Sequence, residues 1–257
     1  RWQELAEMAR REAQAAGVRD VWIVTEGTDT SWEMEPIILS YLLGPDVDAV
    51  FLGQGGHEAL LLPLDRPGVY LLHRPVPPAL QDMLQRLGAH QTASLPEAPG
   101  SAEVRVLVAP AQGLDTLLAG VRQRTAYHLA AGPALEGAWW PEQVRPGDVL
   151  HLVTYWTWVP VAPDELRFSH SLFNHLLAAD GSRVAQRDGL GLHERHWRQG
   201  LLLVQWFDLA LPVDVPAGDY VWLTGLYRQQ DGARSPVRDS SGAEMGDSIA
   251  LGPIHVE

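Results

Sequence analysis

The run FSHSLFNHLLAADGSRVAQRDG at residues 168–189, and the run WRQGLLLVQWFDLALPVDVPAGDYVWLTGLYRQQDGARSPV at residues 197–237, decide how this chain is read. Apolar residues alternate with polar ones in both. Asp180-Gly181, Pro216-Ala-Gly218 and Asp231-Gly232 interrupt the alternation at regular intervals. Period-two segments bounded by Asp-Gly and Pro/Gly clusters are the signature of strands joined by tight turns. The stretch therefore reads as the centre of an antiparallel β-sandwich, and the remainder is organised in front of it.

Working outward on the C-terminal side, strand patterns recur from Ala126 to the end. Tyr127 onward, Leu135–Trp140, Val149–Trp158, Leu166–Leu177, Val184–Gln186, Leu202–Leu209, Asp219–Tyr227 and Ile249–Val256 give seven or eight strands, with Arg145-Pro-Gly-Asp148 as a further turn. Helical periodicity is almost absent, which fits a sandwich of immunoglobulin-like or jelly-roll type. The wiring of the sandwich does not follow from spacing.

The N-terminal side has a different texture. Trp2, Leu5, Ala6, Ala9, Ala13 and Ala16 recur at helical spacing and Gly17 stops the pattern. Val21–Val24 is a short continuous apolar run, as in a strand buried on both faces. A second helix is expected from a Ser31 cap to Gly44, with Pro36 near its first turn. Strands follow at Val47–Leu52, Val69–Leu72 and Val104–Val108, and a helix at Pro77–Leu87. Strands alternating with helices predict a small, Rossmann-like α/β domain with a parallel sheet. The expected division is 1–115 for this domain and 122–257 for the sandwich, with the boundary between Pro110 and Gly120.

Composition narrows the partners. The 257 residues carry a net charge of -13, and no basic patch is visible, so nucleic acid is not an expected partner. All 19 basic residues are Arg; with no Lys there is no Schiff-base or Walker lysine, and with no Cys there is no thiol nucleophile, thiolate metal site or disulfide. No apolar run approaches the roughly 18 residues that span a bilayer. The chain begins with Arg1 and shows no signal peptide, so it is expected to be a segment of a longer protein.

The sandwich half carries a resemblance. Arg145-Pro-Gly-Asp148 leading to Tyr155-Trp156, Phe173-Asn-His175-Leu176 with Asp180-Gly181 and Val184-Ala-Gln-Arg-Asp188, Trp197 to Gly200, Pro216-Ala-Gly-Asp-Tyr220, Gly225-Leu-Tyr227 and Gly232-Ala-Arg-Ser-Pro-Val237 form one ordered set of motifs. The set resembles the C-terminal β-sandwich of bacterial multi-pass membrane glycosyltransferases related to dolichyl-phosphate-mannose-protein mannosyltransferases. The resemblance covers about residues 125–257. It implies an extracytoplasmic accessory region, attached to the membrane only through segments not in this chain, with a glycan or lipid-linked sugar acceptor as partner. The catalytic carboxylates of that family lie between membrane helices, so no catalytic residue is carried over. No cofactor is implied.

Candidate binding residues follow from residue chemistry. Sugars stack their apolar faces on exposed aromatic rings, and Trp139, Trp140 and Trp197 lie in expected loops or strand ends; Trp206 and Trp222 are expected in the core. Asp188, His193 and His196 gather polar groups near one hairpin. A metal site is not expected there, because His193-Glu-Arg-His196 lacks the HExxH spacing and His170 and His175 differ by an odd number along one strand. In the α/β half, ligands sit at carboxyl ends of strands. Those ends are Glu26-Gly-Thr-Asp29 and the glycine-rich Gly53, Gln54, Gly55 and Gly56, which is not a G-x-G-x-x-G fingerprint. A stand-alone soluble enzyme or small-ligand binder using these ends, and a purely structural or protein-interaction module, remain the alternatives.

Overall fold

The computed structural model describes residues 2–25, 30–31, 33–52, 59–72, 78–96, 103–159, 169–191 and 196–257. The fold is β-rich, with several sheets and few helices, as a β-sandwich requires. It divides into two compact units: Arg1–Thr116 together with Gly191 and His196, and Leu117–Leu190 with Trp197–Glu257. Among the described residues no helix is long and apolar enough to cross a membrane.

In the first unit, α1 (Trp2–Ala16) is the amphipathic helix its spacing predicts, burying Leu5, Ala6, Met8, Ala9 and Ala13. Strands β1 (Asp20–Val24), β2 (Asp48–Leu52) and β4 (Gly68–Leu72) are parallel, with β1 in the middle. Helix α2 (Met34–Leu43) follows β1, and α3 (Pro78–Arg86) follows β4. Strand β3 (Ala59–Pro63) lies between β2 and β4 in the chain. Then come β5 (His90–Leu95) and β6 (Val104–Ala109), and the sheet order is β2-β1-β4-β6-β5.

This sheet is mixed, which corrects the expectation of a parallel one. Strand β6 runs antiparallel to both β4 and β5. The other four strands therefore point one way and β6 alone opposes them. The reason is chain length: β5 and β6 are joined by residues 96–103, too few for the crossover of a dozen or more residues that a parallel pair needs. The cap is also corrected. Glu33, not Ser31, precedes α2, in extended conformation and without a side-chain cap bond.

Strands β1 and β4 are buried on both faces, as continuous apolar runs demand. On one face Val21, Ile23, Phe51, Val69, Leu71, Val104 and Val106 share a core with α1 and with Leu39 and Leu43 of α2. On the other, Trp22 and Tyr70 are opposite one another in the register and stack at 5.4 Å. The Tyr70 hydroxyl donates to the Leu61 carbonyl at 2.8 Å, and burial pushes its pKa far above the ordinary phenol range.

After the short helix α4 (Leu114–Leu117), the second unit holds two sheets. The first contains, in order, β16 (Glu244–Gly246), β15 (Val237–Arg238), β7 (Gln123–Leu129), β8 (Pro133–Trp139), β10 (Val149–Trp158) and β13 (Leu201–Ala210). The second has the order β12 (Arg183–Gln186), β11 (His170–Leu177), β14 (Gly218–Arg228), β17 (Ile249–Val256) and β9 (Gln143–Val144). Neighbours are antiparallel except β17 and β9, which are parallel. β7–β8, β11–β12 and β15–β16 are consecutive pairs within one sheet, while the chain passes between the sheets at β8–β9, β9–β10, β10–β11, β12–β13, β13–β14, β14–β15 and β16–β17. Their shared interior buries Leu150, Leu152, Trp156, Leu203 and Phe207 from one sheet, and Leu172, Leu176, Trp222, Leu226 and Ile254 from the other.

Candidate functional site

Trp139 and Trp140 stand at the end of β8, where alternation sends adjacent side chains to opposite faces. Trp140 turns inward. It is buried, its Nε1 donates to the Pro253 carbonyl at 3.1 Å, and it meets Trp222 edge-on at 6.1 Å. Trp139 turns outward and is 37% exposed. Trp197 is buried against Trp158, with ring centroids 5.4 Å apart. Neither Trp140 nor Trp197 is therefore an open stacking face, a correction to the sequence reading. Both lie in segments that read as loops or strand ends, but each has an apolar partner from another strand to cover it. Trp206 and Trp222 are both buried, as expected, Trp222 in the interior between the sheets and Trp206 on the side of its strand away from it.

Asp188 follows β12, and its Oδ1 lies 3.8 Å from Nε2 of His175. That oxygen is shielded from water and has no hydrogen-bond partner among the described residues. Burial depresses the His175 pKa below its ordinary value; the Asp188 carboxylate opposes the shift, and Arg183 and Arg234 reinforce it. His196 falls in the first unit. His193, Glu26, Asp29, Gly53, Gln54, Gly55 and Gly56 lie outside the described residues. No three His, Cys, Asp or Glu side chains among the described residues gather as metal ligands would.

The register of the first sheet assembles a group that spacing did not reveal. Trp139 of β8 is directly opposite Val153 of β10, which is opposite Trp206 of β13. Directly opposed residues share a face, so these three form one row on the outer face, in which Val153 and Trp206 are buried and Trp139 alone is exposed. One row further along, His151 is opposite Asp208, and the next row pairs Val149 with Ala210. His151 Nδ1 lies 2.6 Å from Asp208 Oδ1, and both side chains are largely exposed. A carboxylate only accepts, so Nδ1 carries the proton and Nε2 is left toward solvent. The site thus combines a partly exposed indole with an exposed, pre-oriented polar pair. Alternation through Val149–Trp158 already separates His151 and Val153 from Leu150, Leu152 and Trp156. The partner Asp208, 57 residues on, could not be read from it.

The outer face of the second sheet carries another cluster, drawn from separate motifs. Arg234 lies 4.4 Å over the Phe173 ring and pairs with Asp247 at 3.3 Å. His175 and Tyr227 flank the same ring. Gly225 is opposite Phe173 in the register, and a Cβ there would meet the ring at 2.7 Å. Phe173 is buried under the guanidinium, so this cluster is packed rather than open.

Comparison with known proteins adds little. No family model matches the chain, and no curated protein matches it. Among solved structures it is similar to a glycosyl hydrolase family 2 member from Bacteroides cellulosilyticus, at 12% identity and a TM-score of 0.27. The likeness covers 60% of this chain and 20% of that one, so the chain spans about a fifth of that structure. A likeness of that order carries no argument about this protein.

Proposed function

We propose that this chain is a non-catalytic, extracytoplasmic accessory region of a bacterial membrane glycosyltransferase, and that it recognises a glycan or a sugar acceptor through Trp139. The reading of the first unit as Rossmann-like, and of the second as an immunoglobulin-like or jelly-roll sandwich, belongs to the same proposal. The ordered motifs from Arg145 to Val237 support the context. The observation that carries the recognition role is the outward Trp139 ring beside His151 and Asp208. An indole presents a flat, apolar and electron-rich face, and the C–H face of a pyranose is its natural complement. Rigid strands hold the ring and the polar pair in fixed relation, which lowers the ordering cost of binding.

Calorimetric titration with a panel of neutral and charged oligosaccharides tests this. Saturable binding is expected, weakened at least tenfold (about 1.4 kcal/mol) in Trp139→Ala. Val213→Ala, a change at an exposed residue of the same unit, should bind as the unaltered protein does. Absence of heat across the panel, in a cooperatively folded sample, retires the glycan role.

A second reading has one observation in its favour. Strands β2, β1 and β4 are adjacent and parallel, so their carboxyl ends share one edge. Ligands of open α/β sheets bind outside such ends. On this reading the first unit takes a small anionic ligand there. A thermal-shift screen of nucleotides and sugar phosphates tests it, and an unmoved midpoint with all of them rejects it.

A further inference from the structure

Three features of the outer face of the first sheet fit together beyond the stacking ring. The rows are about 7 Å apart along the strands, and adjacent strands about 4.8 Å apart. Trp139 and His151 are therefore diagonal neighbours, with Asp208 one strand further. Asp208 Oδ1 is engaged by His151 Nδ1, which leaves Oδ2 and, in the neutral imidazole, the His151 Nε2 lone pair as acceptors. Among the described residues neither His151 nor Asp208 has a further protein partner, and none is found for the Trp139 indole N–H. Val149, exposed in the next row, closes the polar pair with an apolar border.

We infer that the exposed part of this face, from Trp139 on β8 diagonally to His151 on β10 and Asp208 on β13, is a short platform selective for uncharged glycans. It rests on the glycan-recognition reading above and names the substrate class. Trp139 stacks one pyranose, and its Nε1–H donates to a ring substituent. The next residue of the glycan donates hydroxyl protons to His151 Nε2 and Asp208 Oδ2. Acceptors that lack protons of their own suit hydroxyl groups, each of which brings a donor. The same carboxylate repels a uronate or sulfate at the second position; the nearest guanidinium in the register of the described strands, Arg124 opposite Gly137, lies beyond Trp139 from it. The net charge of -13 adds a repulsive field in the same direction.

The experiment compares mannohexaose and cellohexaose with the uronate oligosaccharides made by oxidising C6 of the same chains. Titrations use the unaltered protein, Trp139→Ala, His151→Ala, Asp208→Ala and Asp208→Asn. Neutral hexasaccharides are expected to bind and the uronates to bind at least tenfold more weakly. His151→Ala and Asp208→Ala should each lower affinity for neutral chains about fivefold. Asp208→Asn, which keeps the side-chain shape, should narrow the discrimination against uronates. Binding that depends on Trp139 but favours uronates, or is indifferent to both polar substitutions, overturns this inference and leaves the recognition role standing. No binding of any chain by a folded protein overturns both.

Discussion

Trp222 shows how a single buried polar atom constrains the second unit. Its Nε1–H donates to Asn174 Oδ1 at 2.9 Å, and Asn174 Nδ2 donates in turn to the Arg187 carbonyl at 3.2 Å. Both side chains are fully buried. Trp222→Phe removes the donor and strands the amide oxygen, at a cost of about 1–3 kcal/mol for the lost partner plus the lost packing. Urea unfolding reads this directly. Gly225→Ala places a methyl against Phe173; the ring is held beneath Arg234, so overpacking of about 1–3 kcal/mol is expected, and an unchanged urea midpoint contradicts it. His175 sets a pH dependence. Burial holds its folded pKa below the ordinary 6.5, so the unfolded chain takes up a proton first as pH falls. Stability from this group is full above about pH 6.5 and is lost as pH drops through the lower folded value. His175→Gln should lose less stability than the unaltered protein between pH 7.5 and pH 5, measured by denaturant midpoints.

Among the elements, those with a strong period were legible and those without were not. The helix expected over Trp2–Ala16 and the strand expected over Val149–Trp158 have those bounds in the fold. Strand β5, His-Gln-Thr-Ala-Ser-Leu, went unread because an exposed edge strand needs no alternation of apolar residues. Its absence from the sequence reading also hid the short link to β6, and with it the reversal of β6. Helix α1 owes its place to its apolar stripe rather than to its ends. Leu5 is fully buried in the core shared with β1, β4 and β6. Leu5→Ala is accordingly expected to destabilise the first unit by about 2–5 kcal/mol. A urea titration that leaves its midpoint in place would remove α1 from that core.

Charge acts over larger distances than any of these contacts. With a net charge of -13 and a pI near 5.1, each unit carries an acid excess that repels itself at neutral pH. Raising salt from about 0.01 M to 0.15 M shortens the screening length from about 30 Å to about 8 Å. Calorimetric midpoints should rise by about 2–4 °C, the equivalent of roughly 1 kcal/mol; a fall shows that attractive ion pairs outweigh the repulsion. The candidate site divides in the same way as the elements. Composition and period were enough to establish two units of different texture, a β-rich C-terminal half and the Trp139-Trp140 pair as a place to look. They are local properties, written in the spacing of neighbouring residues. Which indole faces water, and that His151 meets Asp208 on the same face, came only with the folded sheets. Strand register joins residues far apart in the chain, and burial depends on what the partner strand brings, neither of which is encoded in any one stretch.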